Sequence, residues 1–147
     1  MKLSTRGRYS VRLMFELALN GKGQTVYLKD VAQRQELSEK YMSKLVIPLR
    51  GAGLIVSVRG AHGGYMLGRE PEDITIREIV EVAEGSLSLV ECVQNSQSCD
   101  RTRECPTRNL WCRLEKHMVS FLEGITLQDL VDEYDSASGQ DSLMYHI

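Results

Sequence analysis

The chain has 147 residues, 42% of them apolar and 26% charged, values that suit one soluble domain or a small domain with an oligomerisation arm. No apolar run approaches bilayer-spanning length, and Arg6, Arg8, Arg12 and Glu16 interrupt residues 1–20 as a signal peptide, so a cytoplasmic protein without a membrane partner is expected. The net charge of −2 conceals a division: residues 1–60 carry eleven Lys/Arg against four Asp/Glu, and the remainder seven against sixteen. A basic first part joined to an acidic second part points to a nucleic-acid-facing half and a half with another task. A lopsided solvated surface would give the same counts, so charge alone does not decide.

From Arg8 to Asn20, Val11, Leu13, Met14, Phe15, Leu17 and Ala18 recur at helical spacing. This predicts an amphipathic helix ended by Gly21 and Gly23, with Arg8 and Arg12 on its polar side. Leu28, Val31 and Ala32 predict a second helix over 28–35; the chain then turns at 36–38, where Ser38 suits the N-cap of a third. In that third helix Tyr41, Met42, Leu45, Val46 and Leu49 fall inward, while Lys40, Ser43, Lys44 and Ile47 lie nearer the outside. Two short helices across a tight turn are the helix-turn-helix pattern. Pro48 supplies no N–H and is expected to kink or loosen the third helix near Lys44.

Leu54–Val58 is β-branched and of strand length, Arg59–Gly64 is a glycine-rich turn, and Tyr65–Leu67 can return as the partner strand. A hairpin with a basic tip after a helix-turn-helix reads as the wing of a winged helix. Thr75 and Glu78 form a capping box for a helix through Ile76, Ile79, Val80 and Val82 to Gly85. Pro106 suits the first turn of a long helix, along which Leu110, Leu114, Met118, Phe121, Leu122 and then Ile125 form an apolar stripe too wide to stand alone. Thr126 starts a last short helix through Leu127, Leu130 and Val131, and residues 135–147 are expected to be a polar, flexible tail. The fold class is therefore mainly α with a small β-hairpin.

All four cysteines lie within 21 residues, at Cys92, Cys99, Cys105 and Cys112, separated by six, five and six residues. These gaps exceed the two to four residues with which zinc fingers wrap one ion, and a larger iron-sulfur cluster suits them better. In a reducing compartment metal or redox chemistry is favoured over a disulfide. Cys105 precedes Pro106, so its thiolate would gain from the positive end of the helix dipole. Cys112 lies about 10 Å further along the helix axis, which stretches its reach; packing against the apolar stripe competes with ligation. Glu91, Asp100 and Glu104 are alternative oxygen ligands but read better as solvated, and His117 belongs to the helix surface. No phosphate loop or nucleophile–base pair marks an enzyme.

The basic segments supply the candidate DNA contacts: Lys2, Arg8, Lys40, Tyr41, Ser43, Lys44, Arg59 and His62. Phosphate contacts would give affinity and base-edge contacts specificity. Lys40, Tyr41, Ser43 and Lys44 occupy the first turns of the third helix, where a major-groove helix presents its readers; Tyr41 could instead be core. Arg59 at the wing tip could enter a narrow minor groove or touch a phosphate.

Met1–Tyr9 (MKLSTRGRY), Val58–Gly68 (VRGAHGGYMLG), Cys92, Cys99, Cys105 and Ile125–Val131 (ITLQDLV) resemble the iron-sulfur cluster regulator (IscR-like) family of winged-helix repressors over nearly the whole chain. The resemblance implies a homodimer in which the long helix from Pro106 crosses its partner, a pseudo-palindromic operator in double-stranded DNA, and a cluster on Cys92, Cys99 and Cys105. It implies a 2Fe-2S cluster before a 4Fe-4S one, and control of cluster-assembly genes. It divides the chain into a DNA-binding domain over 1–84, a cluster loop over 85–105, a dimerisation helix and short helix over 106–134, and the tail. Three departures matter. Lys40 and Lys44 differ from the smaller or neutral residues of those regulators, so the operator sequence does not transfer. Arg108 stands where those regulators place a histidine, leaving the fourth ligand to Cys112, an acid, the partner or a small molecule; and Ser43 replaces a glutamate that helps discriminate promoter classes.

Ser38–Arg50 and the ending Met144–Ile147 also resemble a sister group, the cysteine-metabolism repressors, which lack these cysteines. That resemblance implies cysteine synthase as a partner for the C-terminal isoleucine. The expected function is a non-enzymatic transcriptional regulator sensing iron-sulfur status. The alternatives are a nitric oxide, redox or cysteine-metabolism regulator of the same fold, and, from another class, a zinc-stabilised or metal-free protein-interaction module.

Overall fold

The structure, a computed structural model, describes residues 3–144, with side-chain surroundings through residue 139. Among the described residues, seven α-helices and a two-stranded antiparallel hairpin make the expected mainly α fold. Helix α1 (Thr5–Gly21) begins three residues earlier than its apolar period suggests, because the Ser4 hydroxyl accepts from the Gly7 N–H and starts the helix there. Lys22 follows in the left-handed conformation at φ 41° and ends it.

Helix α2 (Leu28–Arg34) and helix α3 (Glu39–Gly51) are joined by a turn in which Glu36 takes φ 54°. Ser38 caps α3, accepting from the Tyr41 N–H at 3.1 Å. The inward and outward faces of α3 fall as its period requires: Met42, Leu45, Val46 and Leu49 are buried, and Lys40, Ser43, Lys44 and Ile47 exposed. The helix passes through Pro48 to Gly51 without a break. The carbonyl deprived of a donor belongs to Lys44, on the exposed face, where water can satisfy it.

Strands β1 (Ile55–Val58) and β2 (Gly64–Leu67) pair antiparallel with Ile55 opposite Leu67 and Val58 opposite Gly64. A single bridge from Val26 to Tyr65 adds a third, one-residue strand to the wing, with N–H···O distances of 2.8 and 2.9 Å. Gly64 is required at that junction: φ is 148°, and a Cβ would stand 2.8 Å from the Val26 carbonyl oxygen.

Helix α4 (Ile76–Glu84) carries the predicted capping box and stops at Gly85. A short helix α5 (Glu91–Gln94) and a 3-10 turn (Ser96–Ser98) occupy the loop in which no element was predicted. Helix α6 (Pro106–Glu123) starts at the predicted proline.

Helix α7 (Leu127–Met144) corrects the sequence reading. Residues 135–144, expected as the start of a flexible tail, are helical; residues 145–147 lie outside the described residues. Once the first turns of a helix are docked, propagation needs no further nucleation, so a polar stretch without proline continues it. Its docked end belongs to the winged-helix core. Thr75 and Thr126 form a bridge, the Leu127 N–H donates to the Ile74 carbonyl at 2.8 Å, and Leu127 is fully buried. That core joins Leu13, Leu17, Val31, Met42, Leu45, Leu54, Ile55, Ile79 and Leu127.

Candidate nucleic-acid interface and cysteine loop

Helix α3 presents Lys40, Ser43 and Lys44 to solvent. The Ser43 hydroxyl donates back to the Glu39 carbonyl at 2.9 Å, so its oxygen can still accept a hydrogen bond. Tyr41 is half-buried and meets the Tyr9 ring edge-on, with centroids 6.0 Å apart. The guanidinium groups of Arg8 and Arg12 stand 6.0 and 5.5 Å from the Tyr9 ring centre. Tyr9 and Tyr41 thus fasten the basic side of α1 to the first turn of α3 through aromatic and cation–π contacts.

The turn before α3 is held by Glu16, a buried carboxylate the sequence reading did not single out. Glu16 accepts from Arg34 Nε at 2.7 Å, Gln35 Nε2 at 2.7 Å and Asn20 Nδ2 at 2.8 Å. Its signal was present: an acid beside Leu17 on the buried face of an amphipathic helix needs partners.

Arg59 and His62 are exposed at the wing tip. The tip is anchored from outside the hairpin, since the Thr25 hydroxyl donates to the His62 carbonyl at 2.8 Å and the Tyr27 hydroxyl to that of Ala61 at 3.4 Å. Thr25 and Tyr27 left no sequence signal for this role, because the contact spans more than thirty residues. Lys2 and Ile147 lie outside the described residues.

The cysteines occupy distinct settings. Cys92 is half-buried in α5, Cys99 is exposed, Cys105 is the half-buried N-cap of α6, and Cys112 is half-buried on α6. The Thr107 hydroxyl, 3.1 Å from Cys105 Sγ, holds the thiol below its ordinary pKa, helped by the Arg108 N–H and the charge of Arg101. Arg108, in the position where the resemblance led one to look for a histidine, donates Nε–H to the Cys92 carbonyl at 2.9 Å and so ties α5 to the first turn of α6.

Glu91, Asp100, Glu104 and His117 are exposed. The donor set suits an iron-sulfur cluster in kind: several thiols in one loop, one of them drawn toward thiolate. Their side chains are not gathered, since among the described residues no three His, Cys, Asp or Glu side chains come together to hold a metal ion.

Every residue of α6 is half-buried or exposed, and Leu110, Trp111, Leu114 and Phe121 keep 53, 37, 37 and 67% of their surface in solvent. Beside them runs an open groove of about 600 Å³ lined by Leu3, Leu87, Leu89, Val90 and Met118 among others. Glu84 borders the groove, and its Oε1 accepts from the Ser4 N–H, the Ser4 hydroxyl and the Gly7 N–H at 3.1, 2.6 and 3.1 Å. One carboxylate thereby joins the groove to the N-terminus of α1.

The model of the Rrf2 family, described as an iron-dependent transcriptional regulator, matches residues 3–133. The protein rrf2 of Nitratidesulfovibrio vulgaris is 44% identical over 89% of this chain and 87% of its own length. The HTH-type transcriptional regulator CymR of Bacillus subtilis is 43% identical over the whole of both chains. Its structure, that of the global cysteine regulator, superposes with a TM-score of 0.76 over 90% of this chain and 98% of that one, at 41% identity. The structure of IscR from T. potens gives 0.77 over 93 and 90%, at 40% identity. Both sides of the resemblance read from the sequence are thus found, and the relatives are regulators rather than enzymes. No described helix is long and apolar enough to cross a membrane. The chain belongs to the Rrf2 family of transcriptional regulators.

Proposed function

We propose that this regulator is a homodimer that binds a pseudo-palindromic operator and reports iron-sulfur status through a cluster held by Cys92, Cys99 and Cys105. The observation that carries the proposal is the Arg108–Cys92 bond, which brings the two ends of the cysteine loop to one another at the start of α6. A cluster on these thiols would bind that loop to the helix whose exposed apolar residues suit a second copy. The groove and Glu84 then offer a physical route from α6 to α1 and, through Tyr9 and Tyr41, to α3. Arg8, Lys40, Ser43, Lys44, Arg59 and His62 are the proposed DNA contacts, with Tyr41 positioning α3, and cluster-assembly genes are the proposed targets.

The test is anaerobic purification with an absorption spectrum and iron count, followed by retardation of operator DNA with and without the cluster. An iron-loaded, coloured protein whose DNA affinity changes on cluster loss is expected. Iron-free protein, or an affinity indifferent to the cluster, overturns the sensing role; no retardation of any duplex at low salt overturns the regulator. Arg59→Ala should weaken binding and lower the salt slope by about one.

A second reading, regulation by cysteine status, is favoured by the likeness to B. subtilis CymR over the full length of both chains. It predicts an iron-free protein whose DNA binding is intact.

A further inference from the structure

Along α3 the residues at 40, 43, 44 and 47 share one face by helical spacing, and all four are exposed while Met42, Leu45, Val46 and Leu49 fill the core. Three of the four are polar. The fourth, Ile47, keeps 63% of its surface in solvent, more than any other large apolar residue except Phe121 among the described residues. A single exposed aliphatic residue is ordinary on a protein surface. Its position is not: it continues, by one further turn, the stripe that the proposed DNA-binding reading turns toward the major groove.

Within the major groove the apolar feature of a base edge is the C5 methyl group of thymine, and aliphatic side chains are what contact it. A β-branched residue in a helix is stiff at χ1, so little side-chain freedom is lost when it docks there. Lys40 and Lys44 carry point charges suited to phosphate or guanine, and Ser43, whose proton goes to Glu39, is left as a hydrogen-bond acceptor. Ile47 is thus the residue on this face whose chemistry matches a methyl group and nothing else in the groove.

We infer that Ile47 is a specificity determinant, reading a thymine methyl in each half-site of the operator. This inference rests on the DNA-binding role proposed above. Duplexes bound by the wild-type protein are first selected from a random library, and each thymine of a half-site is then replaced in turn by deoxyuridine, which removes the methyl group and leaves base pairing unchanged. At one thymine per half-site the replacement is expected to weaken wild-type binding by about fourfold, the value of one buried methyl group. The Ile47→Ala protein should bind thymine and uracil duplexes equally at that position while keeping its helical circular dichroism.

Selected sites without a common thymine, or no uracil penalty anywhere in the wild-type protein, overturn the inference, and neither result depends on the variant. A penalty that persists unchanged in Ile47→Ala assigns the methyl contact to another residue and overturns it too. If the wild-type protein selects no duplex at all, the DNA-binding reading fails first, and this one with it.

Discussion

The winged-helix body and the α5–α6 segment use apolar side chains in opposite ways. In the body, Leu13, Leu45, Ile55, Ile79 and Leu127, drawn from helices α1, α3, α4 and α7 and from β1, are at most 1% exposed and close one core. In α6, Trp111, Leu114 and Phe121 lie on the surface beside an open apolar groove. A body that hides its apolar surface can fold by itself, whereas a helix that shows this much of it suits a partner. The two regions meet along α4 and α6, where Arg77 Nη1 donates to Glu123 Oε1 at 3.1 Å.

The largest test of that contrast is Leu127→Ala, which opens a cavity in the shared core and should cost about 2–5 kcal/mol in denaturant unfolding. A loss near zero would mean that α7 is an appendage. Glu16→Ala should cost about 1–3 kcal/mol, because it leaves the groups around the α2–α3 turn without their acceptor; the half-exposed Arg34 keeps the figure below that of a fully buried pair.

On α6, Phe121→Ala should leave the body's far-ultraviolet dichroism intact and weaken self-association by about tenfold in sedimentation; an unchanged association state would take this residue out of the interface. Thr126→Ala removes the cap that accepts from the Asp129 N–H and should cost about 1 kcal/mol, read in the same unfolding assay.

The smallest effect concerns pH. The thiol of Cys105 is held low by Thr107, so its thiolate forms at lower pH than that of an ordinary cysteine. In cluster-free protein its alkylation, followed by mass spectrometry, should persist as pH falls below the range where an unperturbed thiol stops reacting. Thr107→Ala should move that limit upward. An ordinary pH limit in the parent protein would show that the hydrogen bond does not act on the thiol.

Much of the body was legible in the sequence because its signals are local. The period of α3 separates Met42, Leu45, Val46 and Leu49 from Lys40, Ser43, Lys44 and Ile47, and Ser38 and Thr75 mark helix starts by the hydrogen bonds they make, as Pro106 does for α6 beyond the body by the one it cannot make. Cysteine spacing likewise marks the loop.

The missed features join residues far apart in the chain. Thr25 and Tyr27 hold a wing tip more than thirty residues away, and Ser4 meets Glu84 across eighty. The short helix α5 was also missed, since four residues are too few to show a period.

Residue order by itself determined the hairpin, the helices other than α5 and the far half of α7, the polarity of their faces and the clustering of thiols, since these follow from periods and caps within a few residues. Tertiary structure decided that α7 returns to the body, that Arg108 serves the Cys92 carbonyl, and that α6 is left uncovered. Each of those depends on which distant surface or backbone group lies opposite, and neither composition nor spacing carries that information.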